Sequence, residues 1–126
     1  MYQQDWLCRQ IQMLVQFIAR LIFRKDNIEY RVLDPYGLTE ADRLYYEIER
    51  LLAESGICEA ENLLFEKIDT GDEKYLELAV DFYQKVNALS DKELQDADFS
   101  REEIQTGLMD IMRMFGLPTI SYGGDV

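Results

Sequence analysis

Apolar positions recur at helical spacing through most of this chain, and the pattern resolves into five or six helices. The densest stretch is 6–23, which has no Gly or Pro. Leu7, Ile11, Leu14, Ile18 and Leu21 follow one another at steps of four, three, four and three, so they stack on one helix face. Val15 and Ile22 widen that face on one side; Trp6, Met13 and Phe17 widen it on the other. The arc of roughly 200° is about twice that of an ordinary surface helix. A helix over 3–24 with such an arc is expected to sit at the centre of the fold, covered from two sides. Helices two and four, a second copy of the chain, or lipid are the covers to expect, and a homodimer is one consequence.

Residues 28–36 alternate apolar and polar positions too briefly for a strand and read as an extended connector. Thr39 N-caps helix two, with Asp42 at the capping-box position. Ala41, Leu44, Ile48, Leu51 and Leu52 give it a one-sided stripe, and Ser55-Gly56 ends it by a left-handed glycine exit. Helix three, over 57–68, follows almost at once, so the two must be antiparallel neighbours. Helix four, over 73–89, has an arc nearly as wide as the first, and those two are expected to bury one another. Capping boxes at Ser90–Glu93 and Ser100–Glu103 open two further helices, the last closed by Gly116. The expected fold is all-α, antiparallel hairpins stacked in two layers, one domain over 1–126 with an irregular tail from 117.

Leu44, Leu51, Ser55-Gly56, Ala60 and Leu64 have the spacing of a tetratricopeptide hairpin, and the stretch resembles one over about 50 residues. It departs from the motif at Ile48, Lys67 and Asp72. Over its whole length the chain also resembles a family of small bacterial helical proteins. The matching stretches are Gln4 to Ile11, Ala60 to Phe65, Asn87 to Ser90 and Phe99 to Ile104. That resemblance implies a single domain and carries no activity.

Charge narrows the function. The formal net charge is −12. Residues 1–31 hold five basic and three acidic side chains, a net +2, which leaves −14 for the rest. Such a body repels phosphates, so nucleic acid is not an expected partner. Histidine is absent, which removes the commonest general base and nitrogen metal ligand. Cys8 and Cys58 read as reduced thiols, and with no secretory leader or spanning segment in view the expected setting is cytoplasmic.

No constellation pairs a nucleophile with a base, so an enzyme is not expected. Asp69-Thr70-Gly71 matches the aspartic-protease triplet, but a single copy between helices reads as a turn. With Asp72 and Glu73 it lacks the oxygen cage of a calcium loop. The glutamates of helices two and three have no His partner for a bundle metal site and read as solvated faces. No cofactor or metal is expected. What remains is a helical protein-interaction module with an acidic surface for a basic protein or peptide. Tyr46, Glu49, Arg50, Asp81 and Lys85, projecting from helices two and four, are its expected contacts. The alternative is a peripheral membrane protein using the amphipathic helix 3–24, the lesser of the two readings.

Overall fold

A computed structural model describes residues 2–26 and 28–118. It is all-α, with no strand among the described residues. The helices are α1 (Tyr2–Ile18), α2 (Glu40–Ala53), α3 (Ile57–Lys67), α4 (Glu73–Asn87), α5 (Asp91–Asp96) and α6 (Arg101–Met114). The chain leaves α1 through a wider turn, Ala19–Phe23, closed by Arg24 in the left-handed region with its N–H on the Ala19 carbonyl. Of the expected tail, residues 119–126 lie outside the described residues.

All three capping boxes form: Thr39 with Asp42, Ser90 with Glu93 and Ser100 with Glu103. Each satisfies N–H groups that the first helical turn leaves without a partner. Gly116 takes the left-handed conformation its position predicts, at φ 72°. At the end of α2 the left-handed residue is Ser55, φ 62°, and Gly56 instead N-caps α3. The expected glycine exit is therefore shifted by one residue, because Gly56 must already hand its carbonyl to the Ala60 N–H.

The centre of the fold is α4, which corrects the expectation of a central N-terminal helix. Ten of its fifteen residues are buried, from Tyr75 to Asn87, and it packs on α1, α2 and α6. Helix α1 is buried along Leu7, Ile11, Leu14, Val15 and Ile18, but Trp6 is 51% exposed, Met13 54% and Leu21 44%. Its covers are α4, as expected, and α6 in place of α2. A wide apolar arc shows that a helix can be covered on two sides; it does not show that both are. Helices α2 and α3 do pair as neighbours after their short turn.

The connector from Ile28 onward has no regular structure, as expected, yet it is not a surface strap. Ile28 and Tyr30 belong to the core. Burying two such side chains contributes about 3–6 kcal/mol and fixes the connector against α4.

Candidate functional site

Two places on the surface gather chemistry. The first is the face where α2 meets α4, where the sequence places its candidate contacts. The structure brings Glu49, Asp81 and Lys85 together there. The Lys85 ammonium lies 2.9 Å from both Glu49 and Asp81. Burial alone would lower the Lys85 pKa, but the hydrogen bonds the ammonium donates to Glu49 and Asp81 outweigh it and push the pKa up.

Asp81 does not project from this face. It is 2% exposed, and its Oδ1 accepts the Tyr30 backbone N–H at 3.2 Å. Burial raises its pKa, with Lys85 and the Tyr30 N–H only partly offsetting that cost. The cause of the inward turn is the connector: a backbone N–H arriving in the core needs an acceptor, and Asp81 of α4 supplies it.

The same face holds an aromatic column. The Lys74 ammonium sits 4.5 Å from the centre of the Tyr30 ring, Tyr30 stacks on Tyr45 at 4.8 Å, and the Lys85 ammonium sits 5.0 Å from the Tyr45 ring. The two lysines are eleven residues apart on α4, about 16 Å along its axis. The two rings fill the interval between their ammonium groups. Each cation over a ring adds about 0.5–2 kcal/mol. The Tyr30 hydroxyl donates to Asp42 at 2.6 Å, so the N-terminal cap of α2 is tied into the column. Burial alone would raise the Asp42 pKa, but the bonds from Tyr30 and Thr39 outweigh it and hold the carboxyl below its ordinary value.

Arg50 is exposed and pairs with Glu47 and Glu54 on its own helix. Tyr46 is exposed and meets Tyr45 edge-on at 5.5 Å. Charge on this face is thus largely neutralised within the chain, and the face holds the connector in place.

The second place is a cleft of about 450 Å³ between α3 and α6. Its lining is Glu61, Asn62 and Phe65 from α3, and Glu102, Glu103, Thr106, Gly107 and Asp110 from α6. No basic residue is in that lining. Behind this lining Tyr83 of α4, fully buried, donates its hydroxyl to Glu61 at 2.6 Å. Gly107 lets it reach: a methyl group there would overlap the Tyr83 hydroxyl and ring. Burial raises the Glu61 pKa, Glu103 and Asp110 raise it further, and the Tyr83 hydrogen bond works against them. The other carboxylates are partly engaged, Glu103 in its capping box and Asp110 with Arg113 at 2.8 Å. Glu102 is exposed.

Nothing in this arrangement activates a nucleophile. Burial pushes the Cys58 thiol up, and Glu103, Asp98, Glu59 and Glu61 push it further, the direction opposite to a reactive thiolate. No group of His, Cys, Asp or Glu among the described residues has the geometry of a metal site. Among them also, no helix is long and apolar enough to cross a membrane. A larger groove of about 570 Å³ between α1 and α4 is lined by four amides, three apolar residues, one Arg and one Asp, and gathers no net charge.

A family profile spans residues 1–116 of the chain, nearly all of the described fold. The chain belongs to DUF6483, a family of unknown function. No curated protein and no solved structure matches it. The resemblance to a helical family that carries no activity is therefore borne out. The stretches that carried it hold, in this DUF6483 chain, the joints of the fold. Arg101 is 5% exposed; its guanidinium donates to the Asn87 carbonyl and side chain, to the Leu89 carbonyl and to Asp91, all within 3.0 Å. Asn87 in turn donates to the Cys8 carbonyl at 3.1 Å, so one partly buried network joins α1, the end of α4, α5 and α6. Glu61, at the cleft, lies in another of those stretches. Sequence reasoning read Arg101 as part of a helix start and Glu61 as solvated. Only the helix-face neighbours of Glu61 at three and four residues, Ile57, Cys58, Leu64 and Phe65, all apolar, could have drawn notice.

Proposed function

We propose that this chain is a helical protein-interaction module that receives a basic segment of a partner protein in the cleft between α3 and α6. One observation carries the reading: Glu61, half-buried and with a raised pKa, faces a cleft of further carboxylates whose lining offers it no cation. A guanidinium or ammonium entering the cleft would relieve that repulsion, and Phe65 offers an apolar wall for the stem of the same side chain. The acidic body raises the local concentration of such a partner and speeds encounter. The α2–α4 face supports a docking reading less well, because Asp81 is buried and Lys85 and Arg50 are already paired. Two-layer, tetratricopeptide-like stacking and a cytoplasmic setting belong to the same proposal, supported by the α2–α3 pairing and the free thiols of Cys8 and Cys58.

The experiment is a binding titration of the full chain with a short oligo-arginine peptide and, as control, an oligo-glutamate peptide. The proposal expects binding of the first alone, weakened at least about tenfold by Glu102→Lys with Asp110→Lys, a change of about 1.4 kcal/mol. Equal binding by that variant, with loss on Glu49→Lys instead, would move the site to the α2–α4 face.

A further inference from the structure

The outer face of α1 stands apart from the cleft. Trp6, Met13, Phe17 and Leu21 follow at steps of seven, four and four, which sets them in one stripe. Trp6, Met13 and Leu21 are exposed and Phe17 is half-buried, while Leu7, Ile11, Leu14 and Ile18 fill the core. Arg9, Arg20, Arg24 and Lys25 are exposed on the same helix and the turn that ends it. Arg20 approaches Asp26 at 3.5 Å, both side chains largely solvated. Among the described residues Arg9, Arg24 and Lys25 form no ion pair. An apolar stripe with a cationic rim thus lies on a chain whose remainder is strongly acidic.

We infer that this face docks on an anionic lipid surface. Area and charge choose the occupant. The stripe is about 22 Å long and about 10 Å wide, roughly 220 Å². A stable protein interface takes about 800 Å² from each partner, so this stripe alone is too small to hold a second copy. A second copy laid against it would also bring together two segments that are each net +2 over residues 1–31. A lipid surface suits both features. The apolar side chains reach the acyl boundary, the Trp6 indole sits at the headgroup level, and the arginines and Lys25 meet anionic headgroups. Each such cation near the surface adds to that attraction. The acidic body lies behind α1, a helix diameter of about 10 Å away, and that is about one Debye length at physiological salt. Its repulsion is therefore largely screened, and the docking is weak and reversible.

Trp6 is the chain's one tryptophan, so its emission reports directly on the stripe. The test mixes the full chain with vesicles of phosphatidylcholine, or of phosphatidylcholine with one-third phosphatidylserine, and reads flotation and Trp6 emission. The inference expects flotation and a shift to shorter wavelength with the anionic vesicles only, both lost in high salt. Met13→Glu with Leu21→Glu should abolish flotation, and so should Arg9→Glu with Arg20→Glu. All four positions are exposed, so both variants should keep the wild-type melting temperature. No flotation on either vesicle overturns the inference, as does equal flotation on both. It is also overturned if the Trp6 shift appears without lipid as protein concentration rises and the chain sediments as a dimer, which would make a second copy the occupant. Flotation does not involve the cleft, so failure here leaves the peptide titration standing.

Discussion

The Tyr83 hydroxyl donates to Glu61 at 2.6 Å, and this one bond joins the most buried helix of the fold to a cleft lined by four carboxylates. Removing the hydroxyl leaves a half-buried carboxylate without its donor. Tyr83→Phe should therefore destabilise the chain by about 1–2 kcal/mol, read from denaturant midpoints at constant slope. A carboxyl-detected NMR titration should show Glu61 moved further up, since the one contact that lowers its pKa is gone.

Gly107→Ala probes the same joint from the other side. The added methyl has no room against Tyr83, so the helices must part. The expected cost is about 1–3 kcal/mol, in spite of alanine's better helix propensity. A gain in stability would show that α4 and α6 do not meet as described.

Stability should respond to pH with two opposite signs. Glu61 has a folded pKa above its unfolded value near 4.5. Its contribution is complete below that value and fades as pH rises through the raised pKa. Glu61→Gln keeps an acceptor for Tyr83 and should flatten the decline of melting temperature above pH 4.5. Asp42 is held below its ordinary 3.8. Its contribution is present above 3.8 and lost as pH falls through the lower folded value. Tyr30→Phe removes the bond that does most to lower it, so acid unfolding should begin at higher pH.

Arg101 should be the most sensitive charged position. Arg101→Lys keeps the charge and loses the planar fork that reaches Asn87, Leu89 and Asp91 together. A loss of about 2–4 kcal/mol by denaturant titration is expected, since buried carbonyls are left without donors. A loss under about 0.5 kcal/mol would mean that water replaces the guanidinium.

The two faces of α1 should separate cleanly. Leu14→Ala should cost about 2–5 kcal/mol, as a fully buried leucine. Trp6→Ala, at an exposed position, should stay within about 0.5 kcal/mol.

Much of the fold was legible because its signals are local. Thr39 with Asp42, Ser90 with Glu93, and Ser100 with Glu103 sit three residues apart, and each marks a helix start where the structure has one. Periodicity likewise placed Leu44, Ile48, Ile104 and Leu108 in the core. What sequence could not reveal depends on partners far along the chain. Asp81 turns inward for the N–H of Tyr30, 51 residues earlier. Arg101 is buried because Asn87 and Leu89 end a different helix beside it. The cover of α1 by α6 links the two ends of the described chain, and helical spacing holds no record of that. The candidate site was missed for the same reason: Glu61 becomes unusual only once Tyr83, Glu103 and Asp110 stand around it.

The central claim is that the cleft between α3 and α6 receives a cationic segment. Chemical-shift mapping on the ¹⁵N-labelled chain, titrated with a short oligo-arginine peptide at low salt, tests it most directly. The shifted amides should cluster at Glu61, Asn62, Phe65, Thr106 and Asp110, and the shifts should weaken as salt is raised. Saturating peptide that leaves those amides in place, or shifts Tyr46 and Glu49 instead, would contradict it.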